Sequence, residues 1–435
     1  MYYFIGIKGA GMAALACILY DLGHEVCGSD LDRHFFTEEE LRKRNIAIFP
    51  FDANNIKDGM KVIIGNAFKD DFCEVSALKQ HNDITSWHYH DFLGEFISNY
   101  QSFAVAGSHG KTTTTGMLAA MLGYDSPVGY LIGDGSGHID DNAQNMVIEA
   151  DEYQRHFLAY KPDYAIITNV DIDHVDYFKS EEDYALAYEQ LSQQVKKGLI
   201  LFGDDVKVRA LNIEKAHYYY GENPDNDVRA VNIFEAVDHM RFDVIYQNKL
   251  FGSFDLPFVG RHLLWNSLAV ITTGILLNKD PLIINDGLAS FKGVKRRFVI
   301  EEIGDNIFID DYAHHPTEIA VTIRAAKTRY PNRKIIAIFK PHRVSRVYHF
   351  ADEFAKTLSI ADVVCLCPFT SIDDKEDGID IDITYLQDRI PGSFVVDENA
   401  NDAALLAEMG PAVYLFMSSK DIYGLSNLVK DNQKR

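Results

Sequence analysis

Short apolar runs alternate with amphipathic stretches along this chain, a pattern that predicts strands alternating with helices. The apolar run Tyr2–Ile7 is followed by a helix pattern that extends through Leu22, and Glu25–Gly28 has the pattern of a second strand. Near the other end, the apolar run Asn306–Ile309 precedes the helix pattern Ile319–Arg329. This alternation predicts an α/β fold with parallel, doubly wound sheets.

One strand pattern runs into a glycine loop that is typical of phosphate binding. Phe103–Ala106 is followed by Gly-Ser-His-Gly-Lys-Thr and then by the helix pattern Thr113–Leu122. Glycines let backbone N–H groups turn towards an anion, and a helix N-terminus adds a positive dipole. We expect Lys111 to reach the outer phosphates and Thr112 to hold Mg²⁺ through its hydroxyl. The loop departs from the common spacing, which would place a glycine where Val105 stands.

Composition and charge exclude several classes of function. The chain has 435 residues, of which 47% are hydrophobic and 24% charged, as in a globular protein of several domains. Its formal net charge of −22 argues against general binding to nucleic acid and against attachment to an anionic membrane. Five scattered cysteines suggest reduced thiols. With no signal peptide expected and the apolar region Leu263–Leu277 too polar to span a bilayer, we predict a cytoplasmic protein.

A second glycine-rich loop follows the first strand. Gly6–Met12 has the spacing G-x-x-G-x-G, and Asp30 lies about 20 residues beyond it, where an acid often bonds a ribose hydroxyl. This arrangement favours a nucleotide diphosphate at the helix N-terminus, and the alternative is a tight turn without a ligand. A third strand, Lys61–Gly65, follows. To His88 and His90 we assign no chemistry.

Two middle strands end in residues that could complete a metal site. Asn145–Ile148 runs into Glu149, and Tyr164–Thr168 leads towards His174. In parallel sheets ligands bind at the carboxyl ends of strands, on the edge that also carries the phosphate loop. We therefore predict that Glu149 and His174 join Thr112 around Mg²⁺.

Other polar features of the middle region have local explanations or stay open. Asp151 and Asp171 are predicted to cap helices. Val208–Val244 is acidic and weakly patterned, and we predict a peripheral sheet there. His262 and Asn266 lie one turn apart on one face of a helix. Helix capping explains His262 about as well as contact with a ligand does.

The last third carries a basic pair after a buried strand. Lys334–Phe339 is followed by Arg343 and Arg346, which point the same way if that loop is helical. Two guanidinium forks suit a carboxylate. A solvated basic patch is the alternative.

Together these residues resemble the Mur ligases, the ATP-dependent amide-forming enzymes of peptidoglycan precursor synthesis. The resemblance covers nearly the whole chain and rests on motifs found in a fixed order. These are GIKGAGM at Gly6, AGSHGKTTTT at Ala106, EADEY at Glu149, TNVDIDHVDYF at Thr168, GRHLLWN at Gly260, GVKRRF at Gly293, DDYAHHPTE at Asp310 and FKPHRVSR at Phe339.

The resemblance implies three domains and a two-step reaction. The domains are an N-terminal Rossmann-like UDP-sugar-binding domain (1–101), a central P-loop ATPase-type domain (102–296) and a C-terminal doubly wound α/β amino-acid domain (297–435). The substrates implied are ATP, UDP-N-acetylmuramate and L-alanine, with Mg²⁺ as cofactor, and the protein is expected to be a monomer or weak homodimer. The resemblance also implies a role in cell wall biogenesis, and through it in cell shape and cell division.

The resemblance also assigns residues to sites. It implies UDP-sugar contacts at Gly9, Ala10, Gly11, Met12, Asp30 and Asn66. It implies ATP contacts at Gly107, Ser108, His109, Gly110, Lys111, Thr112, Thr113, His262, Asn266, Arg297 and Asp311. It implies metal ligands at Thr112, Glu149 and His174, and alanine contacts at Tyr312, His314, Arg343 and Arg346. Catalytic roles fall to Lys111, His174 and His314, the last only as a candidate base for the amine.

Two alternatives to this function are open. A recycling ligase that attaches a whole tripeptide to the same UDP-sugar is the nearest rival, and the arginine pair favours free alanine over it. A catalytically silent nucleotide-binding homologue is the other, because Ser418–Asp421 stands where the family has Gly-Ala-Gly-Asp. A nicotinamide oxidoreductase is disfavoured by the glycine spacing.

Overall fold

The computed structural model describes residues 1–236, 238–295, 297–370 and 379–434. These residues form two units. Unit 1 comprises Met1–Ile172 and Ser180–Val294, and unit 2 comprises Asp173–Lys179 and the described residues from Lys295 onward.

Unit 1 begins with a parallel sheet flanked by helices. Its elements are β1 Tyr2–Ile5, α1 Ala10–Asp21, β2 Val26–Ser29, α2 Glu38–Lys43, β3 Ala47–Phe49, a 3₁₀ turn Ala53–Asn55, β4 Lys61–Ile64, α3 Cys73–Leu78, β5 Thr85–His88 and α4 Tyr89–Ile97. The order of the strands is β3-β2-β1-β4-β5. The central strand β1 is apolar on both faces because the sheet is covered on both sides. The three strands predicted in this region are confirmed.

The second sheet of unit 1 is larger and mostly parallel. Its elements are β6 Gln101–Ala106, α5 Lys111–Gly123, β7 Val128–Leu131, β8 Gly137–Ile139, β9 Asn145–Glu149, a 3₁₀ segment Tyr153–Ala159, β10 Tyr164–Ile167, α6 Glu181–Gln194, β11 Gly198–Phe202, α7 Val206–Arg209, β12 His217–Gly221, β13 Val228–Glu235, β14 Met240–Tyr246, β15 Lys249–Leu256, α8 Arg261–Leu276 and α9 Pro281–Ala289. The strand order is β15-β14-β13-β12-β11-β10-β6-β9-β7-β8. Strands β13 to β7 in this order run parallel, and hairpins add β14, β15 and β8 at the two ends.

The acidic stretch Val208–Val244 does not form the peripheral sheet predicted from its weak pattern. Its strands β12, β13 and β14 continue the central sheet by direct pairing. The reason is a period of two in β14, where Met240, Phe242 and Val244 are buried in the same core as α8. The polar residues between them obscure this alternation in the sequence.

The apolar stretch predicted as a helix, Leu263–Leu277, forms most of α8. Leu264, Leu268 and Ile271 recur every three to four residues and are fully buried against the central sheet. In the described part of the chain, no helix combines the length and the apolar character that crossing a membrane requires.

Unit 2 contains a third sheet. Its elements are β16 Val299–Ile303, β17 Asn306–Asp311, α10 Pro316–Arg329, β18 Lys334–Phe339, α11 Val344–His349, α12 Ala351–Leu358, β19 Val363–Leu366, α13 Thr384–Gln387, β20 Phe394–Val395, α14 Ala400–Ala407, β21 Ala412–Met417 and α15 Tyr423–Gln433. The order is β16-β17-β21-β18-β19-β20, with only β16 antiparallel to its neighbour.

Alternate residues of β17 face two different helix layers. Ile307 and Ile309 pack in the cluster that contains Ile319 of α10, whereas Phe308 packs in the cluster that contains Leu425 of α15. Helices therefore cover both faces of this sheet, which confirms the predicted doubly wound α/β fold.

A glycine of α4 provides a test of packing within unit 1. A Cβ at Gly94 would lie 2.4 Å from the carbonyl oxygen of Ala159, which is backbone and cannot turn away. We expect Gly94→Ala to lower the free energy of unfolding by about 1–3 kcal/mol, as overpacking does. Gly424→Ala is the matched control, because Gly424 also lies in a helix and a Cβ there meets nothing within 4 Å. Equal thermal midpoints for the two variants would contradict this packing.

Candidate active site

The two glycines of the phosphate loop are required by its geometry. Gly107 follows β6 with φ +131°, and a Cβ there would lie 2.1 Å from Thr168 Oγ1. Gly110 precedes α5 with φ +81°, and a Cβ there would lie 2.9 Å from Asn266 Oδ1. Both positions combine a left-handed backbone with a close neighbour, so the loop needs glycine at these two places although it is short.

Residues after β10 hold the loop between these glycines. The Asn169 side chain accepts from the His109 N–H at 2.9 Å and donates to the His109 carbonyl at 2.9 Å. The Thr168 hydroxyl donates to the same carbonyl at 2.6 Å, and the Ser108 hydroxyl donates to the Asp171 carbonyl at 2.6 Å. Sequence reasoning did not single out Asn169, although it lies within the quoted TNVDIDHVDYF motif.

Lys111 lies at the first position of α5 and folds back over the loop. Its Nζ donates to the Gly107 carbonyl at 2.5 Å and to Glu152 Oε2 at 2.9 Å. Burial opposes the charged form, but the carboxylates of Glu152, Asp151 and Glu149 outweigh it and raise the pKa of Lys111 above its usual value. The loop therefore presents a permanent positive charge where a phosphate would bind.

Glu152 is a site residue that sequence reasoning missed. It is 1% exposed and stands within the quoted EADEY motif, in which only Glu149 was predicted to bind a ligand. Besides Lys111, it accepts from the Tyr184 hydroxyl at 3.1 Å, and that hydroxyl lies 2.9 Å from Ser108 Oγ. The only sequence signal was an acid three residues beyond the end of a buried strand.

Oxygen donors surround the start of α5 and the end of β9. Thr112 is buried in the first turn of α5, with Thr113 half-buried beside it. Glu149 ends β9 and accepts from the Gly133 N–H at 2.9 Å. A hydroxyl and a carboxylate are the donor types that Mg²⁺ prefers, so these residues fit the predicted metal. Asp151 accepts from the Tyr153 N–H at 3.1 Å, but the N-cap of the 3₁₀ segment Tyr153–Ala159 is Glu152, so Asp151 is not the helix cap that the sequence predicted.

His174 belongs to the segment Asp173–Lys179 of unit 2. Its backbone is left-handed, with φ +51°, and its carbonyl accepts from the N–H groups of Tyr177 and Phe178. The Asp173 carboxylate accepts from the His174 N–H at 2.7 Å. Non-glycine residues with positive φ concentrate at functional sites, which is compatible with the predicted role in metal binding. That role stays a prediction.

The two residues of α8 predicted to contact ATP, His262 and Asn266, have different neighbours. The Asn266 amide lies beside Gly110 of the phosphate loop and is 7% exposed. The His262 ring lies beside Gly260, at 2.9 Å from the position of a Cβ there. The two residues share a helix face, but it is Asn266 that lies against the phosphate loop.

The N-terminal glycine loop also begins a helix. Gly9 is the N-cap of α1, and Ala10, Gly11 and Met12 form its first turn. Asp30, at the end of β2, accepts from the Lys8 N–H at 2.7 Å. A Cβ at Gly11 would lie 2.4 Å from the Tyr89 hydroxyl, so this phenol lies directly over the loop.

Next to this loop lies a cavity of about 290 Å³. It is lined by Lys8, Asp30, Leu31, Asp32, Glu38, Arg42, Ile46, Ile48, Phe49 and Pro50. The Lys8 ammonium is held at its wall by the carbonyls of Leu31 and Arg33 and by Glu38 at 2.8 Å. The mixture of a carboxylate, apolar walls and an aromatic ring suits a nucleoside.

Asn66 follows β4 and lies among histidines to which the sequence gave no role. Its Oδ1 is 2.9 Å from His90 Nδ1, and its Nδ2 is 3.1 Å from His156 Nδ1. The His90 and His156 rings stack with centroids 4.6 Å apart. Burial lowers the pKa of both imidazoles. A neighbouring histidine lowers each pKa further, namely His88 for His90 and His90 for His156.

In unit 2, β17 ends in the buried carboxylate of Asp311. Asp311 accepts from the N–H groups of Phe298 at 2.7 Å and Ala313 at 2.8 Å. Burial raises the pKa of Asp311 although Arg297 opposes the shift. The Arg297 guanidinium lies over the Tyr312 ring, 4.9 Å from its centroid. The two predicted nucleotide contacts of this unit are therefore neighbours.

Two histidines of unit 2 are held neutral. Burial lowers the pKa of His314 to about 3, although Glu318 opposes the shift. Burial and the nearby Lys420 lower the pKa of His342 to about 2, and its Nδ1 lies 3.0 Å from Ser419 Oγ. At this pKa, His314 is unprotonated at neutral pH but a weak acceptor, which does not favour it as the base for an amine.

Both predicted carboxylate-binding arginines contact carboxylates of the segment Asp173–Lys179. Arg346 pairs with Asp173 through Nε at 3.0 Å and Nη2 at 2.9 Å. Burial opposes ionisation of Asp173, but Arg346 outweighs it and holds the pKa of this carboxyl well below its usual value. Arg343 donates from Nη1 to Asp176. The positions predicted to bind the carboxylate of alanine thus bind carboxylates of the chain itself.

The departure at Ser418–Asp421 does not strain the backbone. Among the described residues with positive φ, none lies in this turn. The Ser418 hydroxyl donates to the Lys340 carbonyl at 2.9 Å and accepts from the Lys420 N–H at 3.0 Å. Side-chain hydrogen bonds therefore support a turn that the family builds with glycine.

Comparisons with known proteins cover most of the chain. Three family models match in order: "Mur ligase family, catalytic domain" at residues 1–101, "Mur ligase middle domain" at 105–274 and "Mur ligase, glutamate ligase domain" at 295–417.

Solved structures are similar as well. The UDP-N-acetylmuramate–alanine ligase of Thermotoga maritima has a TM-score of 0.81 and 27% identity over 99% of each chain. A murein peptide ligase of Psychrobacter arcticus has a TM-score of 0.75 and 23% identity, covering 100% of this chain and 98% of that one. The UDP-N-acetylmuramate:L-alanyl-γ-D-glutamyl-meso-diaminopimelate ligase of Neisseria meningitidis has a TM-score of 0.60 and 27% identity, covering 68% of this chain and 99% of that one.

The Lys111–Glu152 pair allows a test of stability. We expect Glu152→Ala to lower the free energy of unfolding by about 3–5 kcal/mol, because it leaves a buried ammonium without its carboxylate. The exposed Glu182→Ala should change it by less than about 1 kcal/mol. Denaturant unfolding measures both. In a double-mutant cycle, Lys111→Met should recover part of the loss, and strict additivity of the two changes would contradict a direct pairing.

The neutral His342 predicts a pH dependence. Its folded pKa is about 2 against an ordinary value of 6.5, so below pH 6.5 the unfolded chain binds a proton that the folded chain does not. Stability should therefore fall as the pH decreases from 7 to 5. His342→Gln, which can still hydrogen-bond Ser419, should reduce that fall by about 2 kcal/mol in urea unfolding at the two pH values. An unchanged difference between the two pH values would show that His342 does not contribute.

Proposed function

The chain belongs to the Mur ligase family, and on this premise we propose that it joins L-alanine to the carboxylate of UDP-N-acetylmuramate. Mur ligases are ATP-dependent ligases of peptidoglycan synthesis, and the identity of the amino acid is the part that we propose. The family gives the class of reaction, and the residues of unit 2 support free alanine as the second substrate.

The observation that supports phosphoryl transfer, the first part of the proposed reaction, is the permanently charged Lys111 at the start of α5. Phosphoryl transfer needs positioning and charge neutralisation more than a covalent side chain. In a chain of net charge −22, a triphosphate requires such a local cation. The glycine loop adds backbone N–H donors and the positive end of α5.

The first chemical step is the activation of the sugar carboxylate. A carboxylate oxygen attacks the γ-phosphorus of ATP, the bond between the γ-phosphorus and the bridging oxygen breaks, and ADP leaves an acyl phosphate behind. Mg²⁺, when bound by Thr112, Glu149 and, as predicted, His174, supplies charge neutralisation. Lys111 holds the outer phosphates in line, and we assign Arg297 the same task from unit 2.

The second step forms the amide. The amine nitrogen of alanine attacks the acyl carbon, the carbon–oxygen bond to phosphate breaks, and phosphate leaves with the negative charge. The amine must lose a proton, and the low pKa of His314 leaves the acceptor of that proton unassigned. We propose that Tyr312, His314, Arg343 and Arg346 form the alanine site, in which a guanidinium fork binds the carboxylate of alanine.

The remaining contacts follow the resemblance. For ATP we propose the loop residues Gly107, Ser108, His109, Gly110 and Thr113, with His262, Asn266 and Asp311. For the UDP-sugar we propose Gly9, Ala10, Gly11, Met12, Asp30 and Asn66, with the nucleoside in the cavity beside Asp30. The domain boundaries 1–101, 102–296 and 297–435, the cytoplasmic location and the monomer or weak homodimer belong to the same proposal.

A tripeptide-adding ligase is the main competing function, since two of the similar structures are peptide ligases. The motif that contains Arg343 and Arg346 is a specific observation in favour of a small amino acid, because the proposed site then offers a guanidinium fork to one free carboxylate. Turnover on L-alanine, glycine, L-serine and the tripeptide distinguishes the two, and turnover of the tripeptide alone would refute our proposal.

ADP release tests the proposal directly. We expect ADP only when ATP, UDP-N-acetylmuramate and L-alanine are all present with Mg²⁺, measured by a coupled assay that omits one component at a time. No release at all would support the silent homologue, whereas release that is independent of alanine would contradict alanine as the second substrate.

Lys111→Ala separates the two nucleotide sites. ADP release should fall by more than about 100-fold, because the loop loses its cation. Calorimetry should still detect binding of UDP-N-acetylmuramate, whose proposed contacts are on the N-terminal sheet. The exposed Lys249→Ala is the control for the loss of one positive charge. Loss of sugar binding in Lys111→Ala would contradict this division between the sites.

A further inference from the structure

The two arginines of the proposed alanine site differ sharply in burial. The side chains of Arg346 and Asp173 are 4% and 7% exposed, and they meet fork to fork. Arg346 also donates from Nη1 to the His342 carbonyl at 3.2 Å. A buried pair of this kind is costly to separate, because each charge would be left without its partner.

Arg343 is more accessible and has an unusual backbone. Its side chain and that of Asp176 are 20% and 21% exposed. Arg343 lies just before α11 with φ +68°, a conformation that non-glycine residues seldom adopt. Such strain persists where the surrounding structure over-determines it, and it concentrates at sites that bind ligands.

We propose that Arg343 alone binds the carboxylate of the amino-acid substrate, and that Asp176 occupies Arg343 until the substrate displaces it. Arg346 is then a positioning residue, which holds Asp173 and does not touch the substrate. This inference rests on the proposed function, because it takes an amino acid as the ligand of unit 2.

The chemistry of the two partners favours this exchange. The Asp176 side chain ends in the same group as an amino acid, a carboxylate, so it is an internal competitor of matching charge and shape. The Arg343–Asp176 pair is more exposed than the Arg346–Asp173 pair, so water can partly solvate its charges when it opens, and a substrate carboxylate can replace Asp176. The Asp173–Arg346 pair is not exchangeable in this way, because its separation would leave two charges buried.

Steady-state kinetics and inhibition test the exchange. The probe is propionate, which keeps the carboxylate and carbon chain of alanine but lacks the amine, used as an inhibitor against L-alanine. Asp176→Asn should lower both the KM for alanine and the inhibition constant of propionate about threefold, since it removes a weak competitor. Arg343→Lys should raise both by about tenfold or more, since it loses the planar fork. The KM for ATP should not change in either variant.

Two further variants serve as controls. Asp352 of α12 forms an exposed ion pair with Arg389. Asp352→Asn removes an equal charge and should leave both constants unchanged. Arg346→Lys should lower the thermal midpoint of unfolding and raise the KM for alanine less than Arg343→Lys does, because Arg346 positions the site without touching the substrate.

The outcomes separate this inference from the proposed function. An unchanged or higher KM for alanine in Asp176→Asn, or an increase in Arg346→Lys as large as that in Arg343→Lys, would overturn the inference. A wild-type protein that releases no ADP with alanine would instead contradict the proposed function.

Discussion

A buried ammonium at the start of a helix is the constraint around which unit 1 is arranged. Lys111 can stay charged there only because Glu152 lies within hydrogen-bonding distance and Asp151 and Glu149 lie near. These acids follow β9, the strand that pairs directly with β6, which leads into the glycine loop. The parallel register therefore brings opposite charges together from two strand ends, and an acidic chain gains a site for an anionic nucleotide.

Local pattern was sufficient to predict most of the elements that position the site. The β1–α1, β6–α5 and β17–α10 units follow from apolar runs, glycine loops and helix patterns that can be recognised within some twenty residues. The left-handed φ of Gly107 and Gly110 explains why the short loop kept these two glycines. The continuation of the central sheet through β12, β13 and β14 was not predicted, because the alternation of these strands is diluted by polar residues and their burial depends on α8, which follows them along the chain.

Partners across long sequence separations could not be predicted. Asn169 supports His109 from 60 residues away, and Glu152 pairs with Lys111 across 41. The sequence indicated that Arg343 and Arg346 bind carboxylates, but the acids they contact lie 167 and 173 residues earlier. Nothing in a local pattern identifies such pairs. The turn at Ser418 is a further case, since its hydroxyl donates to the carbonyl of Lys340, 78 residues earlier.

The segment Asp173–Lys179 has a consequence for the modularity of the chain. It belongs to unit 2, although the residues on either side of it belong to unit 1. A polypeptide shortened at residue 294 would keep Asp173 and Asp176 but lose the guanidinium groups that neutralise them. The first 294 residues are therefore not an independent unit, because seven of them belong to unit 2. A C-terminal portion exchanged between homologues would have to match these seven residues, which are encoded more than a hundred codons upstream.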